Sequence, residues 1–245
     1  MKPPIYEPSG KAKEYGDLAL NIYTGCNHGC YYCFAPNVLH KTKEAFSTDI
    51  KPRDGIVEEV KRQLDKEQIK GKLIHLCFTC DPYPAEIDTS ATREIIKLLK
   101  RHGNHVQILT KGGRRAERDF DLLDKNDWFG VTYCGYPAED RTILNDVSMY
   151  EPNAAPPSER LFSTLLCPAK RWVSIEPVLD ARDALDLLTP EVSGYWFDMY
   201  RIGKLNYHPS TIDWDKFGRE AEEICVQHRL NYYIKESLRK EMESA

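Results

Sequence analysis

Three cysteines, Cys26, Cys30 and Cys33, stand four and three residues apart in the segment Tyr23-Thr-Gly-Cys26-Asn-His-Gly-Cys30-Tyr-Tyr-Cys33-Phe-Ala-Pro36. Thiolates this close can wrap one small iron–sulfur cluster, with Gly25 and Gly29 permitting the tight backbone turns that requires. A cubane cluster takes four thiolates. Three leave one iron open to an outside ligand, and that opening is the chemical point of the loop. A structural zinc site is the competing reading, pairing Cys30 and Cys33 with Cys77 and Cys80. Against it, 43 residues separate the two pairs, well beyond the roughly 15–20 of common zinc ribbons. Cys77 and Cys80 also lie in a strand-like run, where i and i+3 point to opposite faces. His28, inside the loop, reads as a loop residue rather than a further ligand.

Such a loop needs a scaffold, and the rest of the chain supplies a repeating one. Short apolar runs at Leu18–Thr24, Lys72–Thr79, His105–Thr110, Trp128–Cys134, Arg171–Ile175, Trp196–Ile202 and Asn231–Ile234 read as strands. Several are continuous, as expected where both faces of a strand are covered. Between them, Ile56, Val57, Val60 and Leu64 recur at helical spacing after a candidate N-cap, Asp54. Ile95, Ile96, Leu98 and Leu99 precede Gly103, a C-cap candidate. Leu185, Leu187 and Leu188 precede Pro190, and Phe217, Ala221, Ile224 and Cys225 follow Asp213. The alternation predicts an α/β fold, a partial (β/α) barrel of six to seven parallel strands with right-handed crossovers. Residues 17–235 form that domain, between an N-terminal extension (1–16) and a C-terminal tail (236–245). Ligands in such folds sit at the carboxyl ends of the strands.

Bulk properties narrow the partners. The 245 residues carry a net charge of −4, with 41% hydrophobic and 29% charged residues, which suits one globular core. The charge argues against a broad nucleic-acid footprint. No apolar run approaches the roughly 18 residues that span a bilayer. The N-terminus has no apolar stretch after its charge, so a cytoplasmic address without membrane attachment is expected. Eight cysteines in a reducing compartment point to metal or redox chemistry rather than a disulfide framework.

The C-x3-C-x2-C spacing, with an aromatic residue before the last cysteine, resembles the signature of the radical S-adenosylmethionine (SAM) superfamily. Further segments are similar to its spore photoproduct lyase-like branch. They are Cys80-Asp81-Pro82-Tyr83 with Glu86 and Thr92-Arg93, Leu109-Thr110-Lys111, Glu151-Pro152 with Ala155-Pro-Pro-Ser158-Glu-Arg160, and Ser174-Ile-Glu176-Pro177. The resemblance covers roughly residues 17–180 and becomes loose beyond. It implies a [4Fe–4S] cluster on Cys26, Cys30 and Cys33, with SAM as cofactor and 5′-deoxyadenosyl radical chemistry. A reductant such as flavodoxin or ferredoxin would feed the cluster. The implied substrate is a nucleotide, nucleobase or DNA lesion. A radical SAM peptide or small-molecule maturase built on the same core stays open.

Site roles carry over on the same terms. Tyr32 and Phe34 would flank the adenine. Asp81 would accept from the SAM amino group, Lys111 would meet its carboxylate, and Ser174 and Glu176 would face the ribose or substrate. Asp81-Pro82 also reads as turn chemistry, and Lys111 before two glycines as a solvated lysine. Where many relatives carry Thr, this chain has Cys80. Cys80, or Cys134 at the end of the fourth strand, is a candidate hydrogen-atom donor, and each equally suits a small buried hydrophobe. Tyr83 joins them as a candidate catalytic residue. Lys111, Arg114, Arg115 and Arg118 could hold a phosphate, although such a run is more often a solvated helix face.

Overall fold

A computed structural model describes residues 3–136 and 149–244. Seven strands form one parallel sheet in sequence order: β1 (Leu18–Leu20), β2 (Leu73–Leu76), β3 (His105–Thr110), β4 (Trp128–Thr132), β5 (Lys170–Ile175), β6 (Met199–Ile202) and β7 (Tyr232–Ile234). β1 and β7 do not pair, so the sheet is an open, partial barrel. Each of the seven expected runs overlaps a strand, β5 beginning one residue earlier than its run. Several are shorter than the runs, because the chain leaves the ladder at the carboxyl ends to build loops.

The crossovers carry the helices α1 (Ala35–Val38), α2 (Lys43–Thr48), α3 (Ile56–Glu67), α4 (Ser90–Arg101), α5 (Pro157–Leu166), α6 (Ala181–Leu188), α7 (Pro190–Ser193) and α8 (Trp214–Gln227), with α9 (Glu236–Glu243) after β7. Between β3 and β4 the crossover is a 3-10 helix over Gly113–Leu122. Asp213 caps α8 by accepting from the Lys216 amide, and Gly103 follows α4 with φ +75°. The α3 N-cap is Gly55 in a left-handed conformation rather than Asp54. Residues 236–243, expected as a tail, form α9, which packs Leu238 and Met242 into the core. Gly218 of α8 makes room there, since a Cβ would lie 2.6 Å from Met242. None of the described helices is long and apolar enough to cross a membrane.

Strand parity divides the core. Ile74, Leu76, Val106, Ile108, Phe129, Val131, Val173, Ile175, Tyr200 and Ile202 belong to the main apolar core, shared with the helices. The opposite parity carries Ala19, His75, Gln107, Gly130, Trp172, Ser174, Arg201 and Tyr233, aligned by the parallel register. This inner face is polar and aromatic. Trp172 lies against Gly130, where a Cβ would come within 2.2 Å of its indole, and its Nε1 donates to the Ile108 carbonyl at 3.0 Å.

The N-terminal segment crosses the open side. Tyr6 pairs with Ala19 of β1 through two backbone hydrogen bonds of 2.9 Å, and the Ile5 backbone is held by the Gln63 amide of α3. A short 3-10 helix, Gly10–Glu14, then reaches the far edge. There Arg201 of β6 donates to the Glu14 carbonyl and Lys11 donates to Asn206. Tyr15 follows and enters the barrel interior.

Candidate functional site

A cavity of about 630 Å³ opens at the carboxyl ends of the strands, within the size range of small-molecule sites. Cys26, Cys30 and Cys33 all line it. Their loop is shaped by close backbone approach. A Cβ on Gly25 would lie 2.0 Å from the Phe46 carbonyl oxygen, and Gly29 adopts φ +75° against Pro152. The loop is also tied to its neighbours. Asn27 exchanges two hydrogen bonds with Ala85 after β2, and Asn153 donates to the Asn27 carbonyl. His28 is buried, with Nε2 3.0 Å from Arg115 and Nδ1 3.5 Å from Asp81. Burial, reinforced by Arg115, takes its pKa down to about 4 despite Asp81, so the ring is neutral.

The donor set suits a multi-iron cluster better than a single ion. Four thiolates on one zinc, each about 2.3 Å from it, would lie about 3.8 Å apart. Among the described residues, the only three or more candidate ligands within 4.8 Å of one another are His105, Asp124 and Asp127. The Lys100 ammonium already bonds both carboxylates there. Cys26, Cys30 and Cys33 are more widely spread, as they must be if each takes its own iron. Burial pushes all three thiols up, Cys30 to about 12, while Lys111 pulls Cys30 the other way. Metal binding would therefore release protons.

Asp81 and Lys111 line the same cavity. The Asp81 carboxylate accepts from the Tyr83 amide (2.8 Å), the Thr110 hydroxyl (2.6 Å) and the Lys111 amide (2.9 Å), which locks the ends of β2 and β3 together. Lys111 is largely but not fully enclosed, 3.8 Å from Glu151 and 5.5 Å above the Tyr32 ring. Burial opposes its charge, but Cys30 and Glu151 outweigh that and raise its pKa. Tyr32 and Phe34 both border the cavity, on different terms. Tyr32 is buried with its hydroxyl on Glu151 and 3.1 Å from Cys134, whereas Phe34 is 46% exposed.

Beneath Tyr32 lies a buried ion pair, Glu151 with Arg160. Tyr136 donates to Glu151 at 2.9 Å, and Arg160 also donates to the carbonyls of Ala155 and Thr132. Burial alone would raise the Glu151 carboxyl. Arg160 and Lys111 override that and hold it at about 2. Both residues stand in quoted sequence segments, yet nothing in the sequence reveals that they pair.

The far end of the cavity is lined by Tyr15, His75, Ser174, Glu176 and Lys235. Glu176 forms an ion pair with Lys235 and accepts from Asn206 (2.9 Å) and Tyr15 (3.2 Å). The Tyr15 hydroxyl is also 3.2 Å from the Ser174 hydroxyl and 3.1 Å from Lys235. Gly203 leaves the space Glu176 occupies, since a Cβ there would lie 2.8 Å from its carboxylate. Sequence reasoning found Ser174 and Glu176 but missed Tyr15, His75, Asn206 and Lys235. A lone polar residue in an apolar strand, such as His75, was the available signal for one of them.

Of the candidate catalytic residues, Cys80 lines the cavity, whereas Cys134 and Tyr83 do not. Cys134 is buried with Tyr32, Tyr136 and Leu205. Tyr83 sits in the main core with its hydroxyl 3.2 Å from Asp119. Cys80 accepts from the Tyr23 amide at 3.4 Å. Burial opposes its ionisation, but the Cys77 thiol and nearby backbone amides outweigh that and lower its pKa. The basic run is mostly engaged within the protein. Lys111 faces Glu151, Arg115 bonds His28 and Tyr83, and Arg118 pairs with Asp119.

Comparison with known proteins adds three findings. The profile of the radical SAM superfamily matches residues 20–144. Curated relatives include the uncharacterized protein ORF301 of Acidianus two-tailed virus, 27% identical over 180 residues, 66% of this chain and 58% of that protein. An uncharacterized Mycobacterium tuberculosis protein is 29% identical over 110 residues, 42% of this chain and 32% of its own. The match thus spans less than two thirds of these relatives. Among solved structures, spore photoproduct lyase complexed with a dinucleoside spore photoproduct shares the fold, with a TM-score of 0.65 at 13% identity. That match covers 94% of this chain and 79% of the lyase. Streptococcus suis SuiB bound to S-adenosylmethionine has a TM-score of 0.59 at 12% identity, over 88% of this chain and 50% of SuiB.

Proposed function

The chain belongs to the radical SAM superfamily, and from that premise we propose that Cys26, Cys30 and Cys33 hold a [4Fe–4S] cluster with SAM beside it in the cavity. When bound and reduced, that pair supplies methionine and a 5′-deoxyadenosyl radical able to take a hydrogen atom from a substrate. The observation that carries the reading is convergence. Three thiols, a half-buried lysine and a buried aspartate from three separate strand ends line one cavity.

The residues divide the remaining work. Lys111, charged and desolvated, offers a cation to a carboxylate, and Asp81 offers an anionic acceptor to an amino group. Both suit the zwitterionic end of SAM. Phe34 and Tyr32 provide aromatic surface for its adenine. Glu176 and Ser174 at the far end face the ribose or the substrate. Cys80 is the candidate hydrogen-atom donor that lines the cavity. For the substrate we infer a modified nucleotide or nucleobase, supported by the fold shared with a lyase that binds a dinucleoside photoproduct. A cytoplasmic flavodoxin or ferredoxin would provide the electron.

The test is anaerobic. The reconstituted protein is expected to be brown, to hold about four irons, and to form 5′-deoxyadenosine from SAM when reduced. Cys30→Ala is expected to abolish that product. A colourless, zinc-binding protein inert to SAM overturns the proposal.

A further inference from the structure

Two side chains of the cavity wall lack a hydrogen-bond partner within the protein. His75 on β2 is 1% exposed and neither ring nitrogen is paired; Thr79 is 9% exposed with its hydroxyl unpaired. Both line the cavity. Native proteins pair nearly all such groups, and one that stays unpaired calls for an explanation. The His75 ring is held in place, stacked on Phe78 at 4.2 Å and flanked by Tyr15 at 5.4 Å and Trp172 at 6.4 Å.

The chemistry of the two groups restricts what could pair with them. Burial, helped by Arg201 and Lys235, takes the His75 pKa down to about 3. The ring is therefore neutral and offers one N–H donor and one bare nitrogen acceptor. Thr79 adds a hydroxyl that can do either. At this end of the cavity Lys235 is paired with Glu176 and Lys204 with Glu241, and Lys11 donates to Asn206. A carboxylate or phosphate here would meet neutral groups and bound cations. An uncharged group with its own donor and acceptor would satisfy what is unpaired, and the rings of Tyr15 and Phe78 favour a flat one.

We propose that the inner end of the cavity is a substrate subsite for an uncharged planar lactam, with His75 and Thr79 as the residues that select it. This rests on the reading that the substrate enters this cavity, and it deepens that reading by placing specificity on β2 and the loop after it. Tyr15, brought in by the N-terminal segment, closes the same compartment.

The test uses reconstituted holoenzyme with 15N-labelled histidine rings. Uracil and hypoxanthine serve as neutral probes, and orotate as a uracil bearing a carboxylate. A neutral probe is expected to shift the ring signals that disappear in His75→Phe. Its dissociation constant should rise about tenfold in His75→Phe and about threefold in Thr79→Val. Orotate should bind at least about tenfold more weakly than uracil. The proposal is overturned if neither neutral probe shifts the His75 signals, if orotate binds as well as uracil, or if folded variants keep wild-type affinity. Circular dichroism checks folding, and Thr79→Val carries the comparison should His75→Phe misfold. Iron content and 5′-deoxyadenosine are measured on the same wild-type sample. Their failure strikes at the enzyme reading, whereas a competent sample whose His75 ignores the probes strikes at the subsite alone.

Discussion

The two ends of the cavity are built by opposite means. At one end, three thiols come from eight consecutive residues, held by glycine turns and by hydrogen bonds to neighbouring loops. At the other, Tyr15 and Lys235 touch although 220 positions separate them, and His75, Ser174 and Glu176 join from β2 and β5. A ligand set for a small cluster can be encoded in spacing alone, because the loop is its own template. A compartment for a substrate has to be assembled by the curvature of the sheet and by whatever closes its open side. Here the N-terminal segment does the closing. The cysteine end thus rests on a motif within one short loop, whereas the inner end depends on residues brought together from distant parts of the chain.

Substitutions separate the two ends. The largest effect belongs to the cluster loop. Cys30→Ala is expected to remove most of the bound iron and all detectable SAM cleavage, with little change in the thermal midpoint of the iron-free chain. A large loss of apo stability would mean that the loop is structural first.

Next in size is the support under that loop. Arg160→Met leaves the Glu151 carboxylate buried without its main partner, which typically costs about 3–5 kcal/mol. Urea unfolding reads the loss, and adding Glu151→Gln should restore much of it. Without that rescue, the pair is not coupled as the structure shows.

At the inner end, Lys235→Met should cost less, about 1–3 kcal/mol. Glu176 keeps Asn206 and Tyr15 as donors and its side chain is 13% exposed. Urea midpoints for Lys235→Met against Lys235→Met/Glu176→Gln measure the difference. If Lys235→Met proved costlier than Arg160→Met, the inner end would be the more tightly coupled of the two.

The smallest effect, taken per pH unit, is a pH dependence with a definite sign. The folded His75 pKa of about 3 lies below the 6.5 of a free histidine. As pH falls from 6.5 towards 3 the unfolded chain takes up a proton that the folded chain refuses, so stability declines across that window. His75→Phe should flatten the slope by up to about 1.4 kcal/mol per pH unit. Glu151 contributes in a lower window. Its carboxyl is held at about 2 against 4.5, so its stabilisation is complete above 4.5 and is lost as pH falls towards 2. An unchanged slope in His75→Phe between pH 6.5 and 4.5 would mean that the ring is solvated in the folded state.

Much of this was legible in the order of residues. Val106 and Ile108 mark β3 by themselves, Asp213 announces the start of α8, and Gly103 marks the end of α4, because each acts on its nearest neighbours. The cysteine loop was legible for the same reason, its three thiols lying within eight consecutive residues. The register of the inner face was harder to see. His75, Gln107 and Arg201 interrupt apolar runs, yet only the parallel pairing shows that they share one side with Ser174 and Tyr233. Glu151 and Arg160 were visible as segments and invisible as an ion pair. Tyr15 lay in what read as an extension, and Lys235 at the last strand's end.

Sequence alone therefore determined the strand–helix alternation and the three-cysteine loop, since both rest on interactions within a few residues. Tertiary structure decided which polar groups are buried together, which charges are cancelled, and which groups of the cavity wall, His75 and Thr79, are left without a partner. Those outcomes depend on the closing of a curved sheet by a segment that reaches from β1 to β6, and no local pattern records that distance.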